Sequence, residues 1–94
     1  MLNPQIIQAK IEQTFKNLGF EKVHLSRDDF WKYGENYCRI VYEDLLKGFI
    51  IESSKGADEA AKYMSEDSDL YFLGLSESEL LAQLKSDIQQ NYMD

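Results

Sequence analysis

The 94 residues contain one histidine and one cysteine, and the sequence sets neither up to react. His24 alternates with the apolar Val23 and Leu25, the pattern of a strand residue turned to solvent, and a single imidazole excludes any site built on two. Cys38 lies between Tyr37 and Arg39. An activated thiol needs a cationic or histidine neighbour, and only Arg39 and His24 are evident candidates. Glu66-Asp67-Ser68-Asp69 is the densest acidic run, and Asp67 and Asp69 at alternate positions open like a calcium loop. Tyr71 then stands where a third oxygen ligand belongs, Phe72 replaces the sharp-turn glycine and Ser78 replaces the closing glutamate, so the run reads as a solvated loop. Phosphate-cradling glycine motifs are absent. These residues predict a protein that is not an enzyme and has no catalytic group, metal or cofactor.

The aromatic group Phe30, Trp31, Tyr33 and Tyr37 says more about binding. Tryptophan and tyrosine are enriched at interface hot spots, which makes Trp31 and Tyr33 candidate partner contacts; in a small domain a lone tryptophan also serves as a core plug, and the sequence leaves both readings open. Aromatics interleaved with bases would suggest single-stranded nucleic acid, but only Arg27, Lys32 and Arg39 flank these rings.

Charge sharpens that exclusion. Residues 1–42 hold five acids against six bases, a net of +1, and residues 43–94 hold twelve acids against four bases, a net of −8, which together give the formal −7. Such a field repels nucleic acid and anionic lipid and draws basic proteins inward, although acidity also serves solubility alone. Glu66, Asp67 and Asp69 are the first candidates to steer a basic partner. One cysteine permits no internal disulfide, the N-terminus lacks a basic stretch followed by a long apolar run, and the longest apolar stretch, Leu70 to Leu73, is four residues. The expectation is a cytoplasmic protein without secretion signal or membrane span.

The elements that would position these residues follow from spacing. At this length one domain, residues 1–94, is expected. Asn3-Pro4 starts a helix whose stripe is Ile7, Ile11, Phe15 and Leu18, and Gly19 ends it. Val23 and Leu25 alternate with polar residues in a strand over 21–26. Arg27 to Asn36 reads as an irregular polar and aromatic segment with a turn at Gly34-Glu35-Asn36. Tyr37–Tyr42 and Phe49–Ser53 read as an antiparallel strand pair around a loop. A short helix is expected over Ala57–Met64, a loop over Ser65–Asp69 and a fourth strand over Leu70–Leu73. The last helix starts at Ser76 and Glu79, a capping box, and carries Leu80, Leu81, Leu84 and Ile88 on one face. The order α-β-β-β-α-β-α predicts an α+β fold: a small antiparallel sheet of about four strands, two longer helices packed together on one face and one short helix. The place of the fourth strand, beside the first or the third, is left open.

The strings Phe49-Ile50-Ile51-Glu52, Ala57-Asp58-Glu59-Ala60, Glu66-Asp67-Ser68-Asp69-Leu70-Tyr71 and Glu79-Leu80-Leu81-Ala82-Gln83-Leu84 cover roughly the C-terminal half. In them the chain resembles small bacterial immunity proteins of polymorphic toxin systems. The resemblance implies a single-domain cytosolic inhibitor that binds a cognate, basic toxin and blocks its active site or docking surface, with no catalytic residues. An acidic nucleic-acid mimic that occupies a DNA-binding protein, and an adaptor or self-associating domain, fit the same composition.

Overall fold

A computed structural model describes the chain except Ser26, Tyr63, Met64, Asp67, Ser68 and Asp94, and describes the backbone alone at Ser65 and Glu66. Helix α1 spans Pro4–Asn17. The Asn3 carboxamide oxygen accepts from the backbone N–H of Gln5 at 2.9 Å and Ile6 at 3.2 Å, which satisfies donors that the first turn leaves open. Ile7, Ile11 and Phe15 are buried. Gly19 takes φ 98°, a left-handed conformation that costs glycine little, and it lets the Phe20 N–H reach the Phe15 carbonyl at 3.0 Å.

Four strands follow, not three: β1 (Glu21–Leu25), β2 (Asp28–Tyr33), β3 (Asn36–Glu43) and β4 (Gly48–Lys55), each antiparallel to the next. Strand β2 corrects the reading of Arg27–Asn36 as irregular. It shows no apolar alternation because its centre is buried on both sides: Trp31 joins the main core and Phe30 a smaller cluster with Tyr37 and Ala60. Helix α2 (Ala57–Lys62) brings Ala60 against that second face. The rest of the expected helix, Tyr63 and Met64, lies outside the described residues.

Two short strands complete the sheet on the outer edge of β4. Strand β5 (Ser65–Glu66) falls where a loop was expected and sets Glu66 opposite Glu52. Strand β6 (Tyr71–Phe72) sets Tyr71 opposite Phe49 and Phe72 opposite Gly48. The expected fourth strand therefore joins the Phe49–Ser53 strand. Helix α3 (Glu77–Asn91) is capped by Ser76, whose hydroxyl accepts from the Glu79 N–H at 3.3 Å. The Glu79 carboxylate accepts from that same hydroxyl at 2.9 Å.

The result is the expected α+β class, one antiparallel sheet with α1 and α3 together on one face. Their stripes, Ile7, Ile11 and Phe15 with Leu80, Leu84 and Ile88, share one core with Cys38, Phe49, Ile51 and Tyr71. Lys10 and Glu77 pair at 2.6 Å between the helices, and the buried Asn36 amide donates to the Tyr92 carbonyl at 3.0 Å, fastening the end of α3 to β3. Among the described residues no helix is long and apolar enough to cross a membrane.

Candidate functional site

The sheet forks between β2 and β3. Their ladder runs from Tyr33↔Asn36 through Lys32↔Tyr37 to Trp31↔Cys38 and stops there, although β2 reaches back to Asp28 and β3 runs on to Glu43 beside β4. On one face of the fork Arg39 crosses the gap: its Nη1 donates to Asp28 Oδ2 at 3.0 Å, its Nε to Glu52 Oε1 at 2.8 Å, and its Nη2 to the same Glu52 oxygen. On the other face Gln8 and Glu12 of α1 meet Asp28, Asp29, Trp31, Arg39 and Ile40 around a cleft of about 180 Å³. A second cleft, about 240 Å³, lies on the other side of Glu12 among Ala9, Gln13, Lys16, Lys22 and Trp31. Trp31 and Glu12 are common to both.

Electrostatically the fork is acidic. The Asp29 carboxylate takes a hydrogen bond from His24 Nδ1 at 3.0 Å and sits 3.7 Å from Lys22 Nζ. The His24 bond first, and the Lys22 charge with it, hold this carboxyl below the usual carboxylate range. Glu12 and Glu43 are half-buried. Neither carboxylate has an ion pair or hydrogen bond among the described residues.

A different surface lies at the β3–β4 turn, the end of the sheet toward which the fork opens. The turn between β3 and β4 exposes Leu45 by 94% and Leu46 by 58%. Phe72, exposed by 41%, stands opposite Gly48, and the Leu73 N–H bonds the Lys47 carbonyl at 2.9 Å, which brings β6 alongside the turn. Consecutive leucines within the Glu43–Gly48 loop were the available sequence signal for this patch, and the reading of that segment as a connection passed over it.

Trp31 is not an exposed anchor. It is 6% exposed, stacks on Phe15 with ring centroids 6.0 Å apart, and sits opposite the fully buried Cys38. Tyr33 is half-buried, 5.3 Å from the Phe20 ring. Both belong to the helix-covered face of β2. Glu66 is on β5, three strands away and roughly 14 Å across the sheet. Asp69 is exposed on the approach to β6, and Asp67 lies outside the described residues. Trp31 and Tyr33 are thus not brought together with the Glu66 position. His24 is turned to solvent on β1, two strands from Cys38 in the core. No group of three or more histidine, cysteine, aspartate or glutamate side chains among the described residues is placed to hold a metal ion.

Comparison of the chain with protein-family models, with curated proteins and with solved structures finds no match.

Proposed function

We propose that the chain is a non-enzymatic binding domain that captures a basic protein, in the manner of a cytosolic immunity protein neutralising a cognate toxin. The observation that carries this reading is the exposure of Leu45, Leu46 and Phe72 on the β3–β4 turn and the strand beside it, in a domain that buries most of its other large apolar side chains. Large apolar side chains exposed near one another cost solubility, and on a soluble domain they mark a contact surface. Glu43 and Asp44 lie beside the patch in the chain, within the half that carries the net −8. Complementary charge raises association rates by orders of magnitude at low salt, and apolar contact then slows dissociation. In this scheme Glu66, Asp67 and Asp69 steer, while Leu45, Leu46 and Phe72 hold.

The test pairs the chain with the protein encoded beside its gene. Co-expression should rescue cells from that protein's toxicity, and the purified pair should associate more slowly as salt rises from roughly 0.05 to 0.5 M, over which the screening length shrinks severalfold. Changing Glu66, Asp67 and Asp69 to their amides should slow association and flatten its salt dependence. Leu45→Asn with Leu46→Asn should speed dissociation. Absence of rescue, with kinetics indifferent to salt and to both sets of changes, would sink the reading.

A further inference from the structure

We infer that the free edge of β3, from Arg39 to Glu43 inside the fork, is a docking edge where an extended basic segment of the partner adds as a strand. The inference rests on the protein-binding reading above and names where the main-chain contact is made. An unpaired strand edge presents alternate N–H and C=O groups outward, a template for another strand, and proteins blunt such edges with charge, short length or a covering element. The other edges of this sheet are blunted. Strand β1 carries Glu21, Lys22 and the solvent-facing His24, and the outer edge of β4 is partly covered by β5 and β6.

The β3 edge differs. Its Ile40-Val41-Tyr42 run is β-branched and aromatic, the composition that favours strand pairing. Among the described residues its ladder runs to β4 alone beyond Cys38. The surroundings select the occupant by charge. Glu12 overlooks the fork from α1, Asp28 and Asp29 line its β2 wall, and Glu43 stands at its mouth. Among the described residues that line the cleft, the base is Arg39, and it is committed to Asp28 and Glu52, while Asp29 is engaged by Lys22 and His24. Side chains of an added strand alternate between faces, so one alternating lysine or arginine with apolar residues meets Ile40 and Tyr42 on the helix face and Val41 on the other, with carboxylates on both. A second copy of this chain would bring the same acids against each other, which disfavours self-pairing.

The experiment is an amide NMR titration of the full chain with a short synthetic peptide alternating lysine and valine, with the glutamate–valine peptide as control. Shift changes and slowed hydrogen exchange should centre on Ile40–Glu43, weaken with salt, and be absent with the glutamate peptide. Glu12→Gln with Glu43→Gln, which leaves the shape of the edge unchanged, should weaken the lysine peptide about fivefold. Changes confined to β1 or to the Leu45–Leu46 tip would overturn the docking edge and leave the protein-binding reading standing. Equal binding of both peptides, or concentration-dependent protection of Ile40–Glu43 without peptide, would overturn it in favour of charge-blind pairing or a second copy. No response to either peptide at millimolar concentration would overturn it as well.

Discussion

Tyr71 on β6 donates its phenolic proton to Asp87 Oδ2 on α3 at 2.7 Å, from a side chain only 1% exposed. Burial first, and then the hydrogen bond and charge of the Asp87 carboxylate, push the ionisation of this phenol above the ordinary tyrosine range. The folded protein therefore keeps a proton that the unfolded chain gives up at high pH. Stability from this site is whole below about pH 10, the unfolded value, and is lost as pH rises beyond it. Urea melts at about pH 8 and 11 should show Tyr71→Phe losing less stability over that interval than the parent chain, since phenylalanine has no proton to lose. At pH 8 the same change should cost about 1.5 to 3 kcal/mol, the net worth of a hydrogen bond to a charged group. An identical alkaline loss in both proteins would remove Tyr71 as its source.

Trp31 packs inside the main core, so truncating it is a stability experiment before it is a binding one. Trp31→Ala should cost about 3 to 5 kcal/mol. That is a large part of the roughly 5 to 15 kcal/mol that holds a small domain together. Trp31→Phe keeps a ring against Phe15 and should cost clearly less. Denaturant melts read both, and a loss below about 0.5 kcal/mol for the alanine variant would place this ring on the surface.

Gly48 lies where β4 meets β6. A Cβ there would come within 2.8 Å of the Tyr71 carbonyl oxygen and 2.8 Å of Leu70 Cδ1. Backbone cannot swing aside as a side-chain end can, so Gly48→Ala should cost about 1 to 3 kcal/mol by overpacking. The loss should appear first as faster hydrogen exchange at Tyr71 and Phe72. Unchanged exchange there would mean that β6 shifts to admit the methyl group.

The helices and the α+β class were legible because their signals are local. Asn3 and Pro4 start α1, Ile7, Ile11 and Phe15 mark its buried face, Gly19 ends it, and Ser76 starts α3; each acts within a turn or two of its own position. His24 followed the same logic, because alternation along one strand told which way it points. Strand β2 escaped because Phe30 and Trp31 are buried on opposite faces, which erases the period of two that announces a half-buried strand.

Relations between distant segments could not be read that way. Residue types made Trp31 a candidate for core or contact, and the docking of α1 over β2 decided for the core. Acids in the last fifty residues were plain in the composition, while the separation of Glu66 from Trp31 and Tyr33 came from the sheet order, which places β5 three strands from β2. The fork depends on where the β2–β3 ladder stops, and the apolar tip on which turn β6 runs beside. The sequence by itself determined the helices, most of the strands, the acidity and the lack of a paired-imidazole or disulfide chemistry, because these depend on near neighbours or on composition. Tertiary structure alone decided the burial of Trp31, the open edge of β3 and the exposure of Leu45 and Leu46, because pairing between strands is a choice among distant partners that no local pattern encodes.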